Sequence, residues 1–395
     1  FYRCSGRSIS SMDNDFLYFD HAATSFPKAP GVDSAILHFL RNSAANPGRS
    51  AHRLSLEAAR VVFRCREALA ELFDTSSSER VIFTPNVTQA INMVLHSHLR
   101  RGDHVVSTKS EHNALMRPLL KLSRERDVEL TRVDTSPEGD VNAEDLSRAI
   151  GPKTKLVALL HGSNVSGVVR DLDELIPACQ GIPILLDAAQ TAGAVPISLR
   201  ETPVDFFCIT GHKALLGPSG IGALLLSPKQ DLEPFICGGT GSRSEEEVQP
   251  DFLPDKLESG TLNTVGIAGL LAAIEWLQAE GLESIRERER RIAALISDGL
   301  SSLEGVELLT PLKSHREKLC TFSLRSSSLS PSELGHRLDR EASIFARVGL
   351  HCSPSAHREL GTWPDGTLRL SAGPFIEEQD VHSLVCALEE ILSKG

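Results

Sequence analysis

Six short runs of apolar, β-prone residues, separated by longer segments of helical periodicity, constrain what this chain can fold into more than any other feature. They lie at 104–108, 128–133, 155–160, 183–188, 205–210 and 221–226. The runs are apolar throughout instead of alternating with polar residues, which is typical of strands covered by helices on both faces. The pattern therefore predicts an α/β fold built on a mostly parallel sheet.

Helical periodicity before and after these runs suggests how the chain is divided. An apolar stripe over 54–73 predicts an amphipathic helix, and 264–305 predicts two helices broken near Gly281. The second of these carries the run RERERR, which is typical of a solvated face, so we expect an exposed connector. Beyond it, strand and helix patterns alternate more irregularly, as in a smaller α+β domain. We predict a disordered leader (1–17), a large domain (18–280) whose N-terminal segment also contributes to the small domain, and a small C-terminal domain (281–395).

Charge and cysteine usage narrow the classes of partner. The 41 Lys and Arg residues against 52 Asp and Glu give a net charge of −11, which argues against nucleic acid as a partner. No apolar stretch approaches the roughly 18 residues needed to span a bilayer, so we expect no membrane insertion. The eight cysteines form no C-x-x-C pair, which suits a reducing compartment, and we expect the cytoplasm. Residues 1–12 are rich in serine and arginine without acids, so organellar targeting is the alternative.

Polar residues follow four of the predicted strands directly. They are His112, Asn164, the pair Asp187 and Gln190, and the group Thr210, His212 and Lys213. A single residue of this kind more often forms a turn or caps a helix, but parallel strands bring their carboxyl ends to one crevice, so the set favours a ligand site. P-loop, dinucleotide, nucleophile-elbow and zincin motifs are absent from the sequence.

The residue types at these strand ends favour a pyridine cofactor. A desolvated lysine has a lowered pKa, so the neutral amine of Lys213 would be able to react with a carbonyl group. A carboxylate such as Asp187 would keep a pyridine nitrogen protonated and make the ring an electron sink.

Two segments, LLDAAQTAGAVPISL and DFFCITGHKALLGPSGIGALLL, resemble the core of the class V aminotransferase-fold pyridoxal-phosphate enzymes. The closest similarity is to the cysteine desulfurase and selenocysteine lyase family. Similar segments continue in the right order through most of the chain: YFDHAATSFPKAP, NPGRSAHRLS, VIFTPNVTQAINMVL, HGSNVSG, ESGTLNT, ARVGLHCSP and GTLRLSAGPF. The resemblance implies the type I fold of these transferases, like that of aspartate aminotransferase, and pyridoxal 5'-phosphate as the cofactor.

The resemblance also implies roles for individual residues at the cofactor. Lys213 would bind the cofactor covalently and move the α-proton, Asp187 would pair with the ring nitrogen, and Gln190 would bind the ring oxygen. His112 would stack on the ring face. The phosphate would be held by the following residues: Val87 and Thr88 in the NVTQ turn, Thr210, His212 and, from a second subunit, Thr261. A homodimer is therefore expected.

Cys352 decides the reaction that the resemblance implies. A cysteine at this position attacks the sulfur of L-cysteine and becomes a persulfide, while L-alanine is released and an acceptor protein can then take the sulfur. Arg347 and His351 would stabilise the Cys352 thiolate, and Arg369 would bind the substrate carboxylate with Asn164 alongside. The remaining substrate-binding positions that the family pattern assigns are Arg49 and His52.

Three departures from the family pattern leave alternatives open. Leu350 stands where a histidine is usual, Val87 replaces a hydroxyl residue in the phosphate turn, and Leu262 replaces proline in the segment GTLNT. The alternatives to a cysteine desulfurase are a selenocysteine lyase, a carbon–sulfur lyase acting on a modified cysteine, and a regulatory homologue that has lost the cofactor.

Overall fold

The computed structural model describes residues 16–48, 52–243, 245–312 and 317–394. Residues 1–15 of the predicted leader therefore lie outside the described part of the chain. The strands are β1 (Leu17–Tyr18), β2 (Val81–Thr84), β3 (His104–Thr108), β4 (Glu129–Val133), β5 (Thr154–Leu160), β6 (Ile184–Asp187), β7 (Phe206–Thr210), β8 (Gly222–Leu226), β9 (Val306–Leu308), β10 (Thr321–Ser326), β11 (Ile344–Phe345), β12 (Arg347–Gly349) and β13 (Thr367–Ser371). The helices are α1 (Val32–Asn42), α2 (Arg53–Leu72), α3 (Val87–His98), α4 (Asn113–Arg126), α5 (Ala143–Ala149), α6 (Leu172–Ala178), α7 (Thr264–Glu280), α8 (Leu282–Ser301), α9 (Pro331–Ala342), α10 (Pro354–Glu359) and α11 (Glu378–Ser393).

A seven-stranded sheet of order β2-β8-β7-β6-β5-β3-β4 forms the centre of the molecule. Strands β7, β6, β5, β3 and β4 are parallel, whereas β8 runs antiparallel to both of its neighbours. The predicted α/β fold with a mostly parallel sheet is confirmed. β8 reverses because a short glycine-rich turn, instead of a crossover helix, connects it to β7.

Helices cover both faces of the inner strands of this sheet, which explains why those strands are mostly apolar. The edge strand β4 differs, since Glu129 and Thr131 are exposed there. In β5, Val157 and Leu159 pack into one hydrophobic cluster with α2 and α7, while Leu156 and Ala158 pack into another with α3 and α4. From Leu156 onwards β5 is buried on both faces, so neither set of alternating positions needs polar residues there.

A second sheet lies in the C-terminal part of the chain. It is antiparallel, has the order β12-β13-β10-β9, and is covered by α8, α9 and α11. The N-terminal strand β1 pairs with β11, where Leu17 aligns with Ile344, and Phe19 is buried in the same C-terminal cluster. The boundary that we placed between residues 280 and 281 stays a prediction.

Helix α8 corrects our expectation of an exposed connector. Ile292, Ile296 and Leu300 on one stripe are buried against the C-terminal sheet. Even the charged run has a buried side, since Arg286 is 2% exposed and its guanidinium binds Glu317 and the Lys318 carbonyl. The sequence of the charged run does not reveal its buried side, because a buried arginine cannot be distinguished in sequence from a solvated one.

Within the described residues, no single helix has both the length and the apolar character needed to cross a bilayer. Helices α7 and α8 satisfy those two criteria only as a pair, and the pair is bent by 81°.

Candidate active site

The carboxyl ends of the central strands meet at one edge of the sheet, and Asp187 occupies the middle of that edge. It is the last residue of β6, is 5% exposed, and accepts a hydrogen bond from the Ala189 N–H at 3.0 Å. Burial raises the pKa of Asp187 to about 6, although the Ala189 N–H and the charge of Lys213 act in the opposite direction. A carboxylate that is buried in this way gains from a cationic partner.

Lys213 lies in the turn after β7, and close packing determines the path of this turn. A Cβ atom at Gly193 would lie 2.5 Å from the Ala214 carbonyl oxygen, so glycine lets the turn approach the segment that follows Asp187. Burial lowers the pKa of Lys213 to about 8, while the charge of Asp187 opposes the shift. A substantial fraction of the Lys213 amine is therefore neutral near physiological pH.

His112 is fixed at the N-terminus of α4. Its Nδ1 accepts the Ala114 N–H at 3.0 Å, which leaves the proton of the neutral ring on Nε2. Burial, with smaller contributions from the charges of Lys213 and Arg347, lowers the pKa of His112 to about 3. The ring is therefore neutral and suited to stacking on an aromatic cofactor.

Residues at the end of β7 and the start of β8 form a candidate anion-binding site. The Thr210 hydroxyl is buried and has no hydrogen-bond partner among the described residues. It pairs across the sheet with Gly222, where an added Cβ would lie 3.1 Å from the Asn86 Cα. This close approach brings the N-terminus of α3, with Val87 and Thr88, beside Thr210. A free hydroxyl next to a helix N-terminus fits a phosphate group, so the residues present fit pyridoxal phosphate.

Arg369 approaches the site from β13 and is 1% exposed. Its guanidinium donates to the Asn164 carbonyl oxygen at 2.9 Å and to Asp20 Oδ1 at 2.6 Å. The Arg369 Nε has no hydrogen-bond partner among the described residues. Our sequence reasoning missed Asp20, although it lies in the N-terminal segment YFDHAAT, because a pairing across 349 positions leaves no local pattern.

Cys352 is exposed and lies in the loop between β12 and α10. Its Sγ is 3.7 Å from the Arg347 guanidinium, and its carbonyl oxygen accepts the Asn113 N–H at 2.9 Å. Because Asn113 begins α4, this hydrogen bond joins the loop to the residue that follows His112. The structure therefore brings Cys352, His112 and Lys213 into one neighbourhood.

The His351 ring contacts β13. The ring is buried, and its Nε2 lies 3.1 Å from the Thr367 hydroxyl. Burial lowers the pKa of His351 to about 2, and the charge of Arg369 contributes. A neutral ring adds no positive charge beside Cys352, so in this structure that charge comes from Arg347.

The other predicted site residues have contacts of their own, and their predicted roles stay predictions. Gln190 donates to the Ala22 carbonyl oxygen at 3.0 Å, and the His212 ring lies 3.2 Å from the Thr24 hydroxyl. His52 caps α2 by accepting the Ser55 N–H. Thr261 is exposed and lines a cavity of about 130 Å³ beside α3. Arg49 lies outside the described residues.

One lysine beside the site was also missed. Lys28 donates to the His212 carbonyl oxygen at 3.3 Å and to Ser25 Oγ at 2.9 Å, so it braces the backbone directly before Lys213. In the sequence, Lys28 lies in the quoted segment YFDHAATSFPKAP, but nothing there indicates a contact with residue 212.

Comparison with known proteins gives a consistent result. The family model Aminotransferase class-V matches residues 17–384. A protein of Methanothermobacter thermautotrophicus named "Probable cysteine desulfurase" is 33% identical over 96% of this chain and 96% of its own length. A protein of the same name from Halalkalibacterium halodurans is 33% identical, over 95% of this chain and 92% of its own length.

Solved structures agree with the sequence relatives. A cysteine desulfurase from Thermococcus onnurineus superimposes with a TM-score of 0.89 at 29% identity, covering 96% of both chains. A cysteine desulfurase from Escherichia coli gives a TM-score of 0.86 at 28% identity, covering 98% of this chain and 96% of its own. With the strand-end lysine and aspartate in place, these matches show that the chain belongs to the class V aminotransferase family.

Proposed function

We propose that this protein is a pyridoxal-phosphate-dependent cysteine desulfurase, which converts L-cysteine to L-alanine and accepts the sulfur on Cys352. The observation that carries the proposal is the placement of an exposed cysteine against the N-terminus of α4, beside His112 and within the electrostatic reach of Lys213. The relatives named as cysteine desulfurases, at 33% identity over nearly the whole chain, support it.

The strand-end residues would hold the cofactor. Lys213 would bind it covalently, Asp187 would face its ring nitrogen, and Gln190 and His112 would contact the ring. When bound, pyridoxal phosphate supplies an electron sink that stabilises negative charge beside the amino-acid Cα. Its phosphate would be held by Thr210, His212, Val87 and Thr88, and Thr261 of a second subunit would complete the phosphate site.

Arg369 and Asn164 would bind the substrate carboxylate. The Arg369 Nε is a buried donor without a partner among the described residues, and a carboxylate oxygen would satisfy it. Asn164 has a second amide hydrogen beyond the one that it gives to His351. Asp20, which accepts a hydrogen bond from the same guanidinium, keeps Arg369 oriented.

Lys213 would move protons at the substrate carbon. With a pKa lowered to about 8, its amine can accept a proton and return it at neutral pH. The neutral His112 ring excludes water from one side of the reacting carbon.

Cys352 would take the sulfur by nucleophilic attack. A bond forms between Cys352 Sγ and the substrate sulfur, and the bond between that sulfur and Cβ breaks. The electron pair of the broken bond stays with Cβ, which takes up one proton, equivalent to the one that the Cys352 thiol gives up, and becomes the methyl group of alanine. The Arg347 guanidinium, 3.7 Å from Sγ, orients the attacking sulfur. The exposure of Cys352 then allows an acceptor protein to collect the persulfide sulfur.

Two features support the proposed homodimer and the proposed cytoplasmic location. Large apolar side chains are exposed on α1 and α2, among them Leu40 and Phe63, as expected for a homodimer surface. Free thiols suit a reducing compartment such as the cytoplasm, and those within the described ranges include Cys65, Cys179, Cys208, Cys237, Cys320 and Cys352.

Product analysis tests the proposal. The purified protein, supplied with pyridoxal phosphate and L-cysteine, should release alanine, and Cys352→Ser should not. Cys237→Ser is the matched control because Cys237 is also exposed but lies elsewhere. If the wild-type protein releases no alanine, the proposal is wrong. Higher efficiency with L-selenocysteine would instead identify a selenocysteine lyase.

A further inference from the structure

Ser353 occupies the first position before α10 but does not cap that helix. A serine followed by proline at a helix start normally accepts a backbone N–H from the first turn. Within α10, all of which is described, no such hydrogen bond forms to Ser353. Its Oγ instead donates to Asn164 Oδ1 at 2.8 Å, and the residue is 0% exposed. The hydroxyl is therefore hydrogen-bonded to a residue 189 positions away in the chain.

Asn164 joins the carboxylate-binding end of the site to the Cys352 loop. Its main-chain oxygen accepts a hydrogen bond from Arg369 at 2.9 Å. Its side-chain Nδ2 donates to the His351 carbonyl oxygen at 2.7 Å. One buried residue thus contacts both the arginine that would bind substrate and the backbone directly before Cys352.

The backbone of this loop is unfavourable unless its surroundings hold it. His351 and Cys352 have φ angles of 49° and 59°, in the left-handed region where a Cβ atom crowds the carbonyl oxygen. The Asn164 amide and the Asn113 N–H each hold one carbonyl oxygen of these two residues. The loop conformation therefore depends on contacts made by neighbouring elements.

Ser353 determines which way the Asn164 amide faces. The Oδ1 atom can only accept hydrogen bonds, so a hydroxyl donor on it turns Nδ2 towards the His351 carbonyl oxygen. Without that donor, Oδ1 would be a buried acceptor that has lost its partner, and only the hydrogen bond to the His351 carbonyl oxygen would orient the amide. The contact with His351 would then weaken as well.

We propose that Ser353 is a positioning residue for Cys352, which acts through Asn164 and couples the substrate-carboxylate end of the site to the loop that carries the sulfur. The role as a guide for sulfur transfer rests on the proposed function, in which Cys352 accepts sulfur. The hold on the loop does not depend on that function.

The first measurement is persulfide formation on Cys352 in a single turnover. Full-length holoprotein is mixed with L-cysteine, and the mass of the peptide containing Cys352 is followed with time. Ser353→Ala should slow the reaction at saturating L-cysteine about tenfold, as expected for the loss of one buried hydrogen bond. Ser355→Ala, two residues further on, is the matched control and should react at the wild-type rate.

A double-variant cycle tests whether the two residues act as a unit. Ser353→Ala and Asn164→Ala are combined, and persulfide formation is measured at saturating L-cysteine. If Ser353 acts through Asn164, the double variant is no slower than Asn164→Ala alone. If the two effects multiply, Ser353 does not act through Asn164 and the proposal is wrong.

The second measurement needs no turnover. Amide hydrogen exchange of the peptide covering 347–358 should be about tenfold faster in Ser353→Ala than in the wild-type protein. Ser353→Thr, which keeps the hydroxyl, should restore slow exchange and thereby separate the loss of the contact from a general folding defect. Exchange at the wild-type rate in Ser353→Ala would overturn the proposal.

The two measurements distinguish failure of this inference from failure of the proposed function. If the wild-type protein forms no persulfide, the proposed function fails, and exchange alone decides whether Ser353 holds the loop. If exchange accelerates in Ser353→Ala but persulfide formation does not slow, Ser353 holds the loop without positioning Cys352, and the inference is wrong.

Discussion

Lys213 and Cys352 are the two reactive side chains of the proposed site, and the backbone around them differs. Lys213 follows β7, a buried strand paired on both sides, and its turn is closed by hydrogen bonds such as the one from the Leu216 N–H to the Lys213 carbonyl at 2.8 Å. Cys352 follows β12, a short edge strand, and lies exposed with a positive φ angle.

This difference suits the two tasks. A cofactor ring must stay at one place during the reaction, so the residues that would hold it are packed into the central sheet. A cysteine that collects sulfur and then presents it to an acceptor must face two partners in turn. A loop held by a few replaceable hydrogen bonds is able to do this, whereas a strand end in the centre of a sheet is not.

We call Lys213, Asp187 and the other strand-end residues the fixed half of the site. Lys213→Ala removes the reactive amine of this half and should have the largest effect. We expect a loss of activity of about 10³-fold or more, because both covalent binding of the cofactor and proton movement depend on this amine. Borohydride reduction followed by mass analysis checks the reason: the wild-type protein and Lys28→Ala should retain the cofactor covalently, and Lys213→Ala should not. Covalent retention in Lys213→Ala would place the cofactor on another lysine.

We call Cys352 and its loop the exposed half of the site. Cys352→Ser removes the thiol of this half and leaves the fixed half intact. Alanine release should fall about 10²-fold or more, because the hydroxyl of serine is a much weaker nucleophile than a thiol. The visible absorption of the bound cofactor should stay the same, and L-cysteine should still perturb it. If cofactor absorption is lost as well, the two halves are not separable in the way we describe.

Arg369→Lys should act on substrate binding between the two halves. A lysine ammonium cannot donate two parallel hydrogen bonds to a carboxylate, so we expect the KM for L-cysteine to rise about tenfold with a smaller change in kcat. Steady-state kinetics of alanine release measure both. An unchanged KM would show that the substrate carboxylate is bound elsewhere.

Asp187→Asn should reveal how much the buried carboxylate charge lowers the free energy of unfolding. Since the folded-state pKa, about 6, lies above the usual 3.8, the folded protein loses stability as the pH rises between these values, and the loss persists at pH 8. The shift corresponds to at most about 3 kcal/mol. In the cofactor-free protein at pH 8, the substitution should raise the thermal midpoint by about 2–4 °C.

The holoprotein provides the control for this substitution. With pyridoxal phosphate bound, the cationic ring nitrogen would pair with Asp187, so the wild-type holoprotein should be more stable than the variant. If the same order is found with and without cofactor, Asp187 does not face the ring nitrogen.

The smallest effect concerns the pH at which Lys213 captures the cofactor. The rate of covalent binding should rise with a midpoint near pH 8, well below the ordinary lysine value of 10.5, because only the neutral amine reacts. Asp187 raises the pKa of Lys213, so Asp187→Asn should move the midpoint to lower pH. Absorbance after mixing with pyridoxal phosphate follows the reaction, and a midpoint that moves upward would contradict the arrangement.

The sequence allowed the fixed half to be predicted more fully than the exposed half. Asp187 and Lys213 follow apolar runs that are visible as strands, and parallel strands bring their ends together, so local patterns were sufficient to place them. The strand β2 is only four residues long and was not among the runs that we identified.

Contacts between distant parts of the chain were missed for a physical reason. Asp20 binds Arg369, and Ser353 binds Asn164, although the partners are far apart in the chain. Such pairs leave no periodic pattern in the sequence. Ser353 resembles an ordinary helix cap before Pro354, and Arg286 in α8 resembles a solvated charge. Only the folded structure shows that each is buried and what it binds.

The central claim is that Cys352, and no other cysteine, receives the sulfur. Its most direct test is a single turnover of the wild-type holoprotein with L-cysteine, followed by mass analysis of every cysteine-containing peptide and measurement of the alanine released. Our account predicts one added sulfur on the Cys352 peptide for each alanine, with no addition on the peptide that contains the exposed Cys237. Alanine released without sulfur on Cys352, or sulfur found on Cys237 instead, would contradict it.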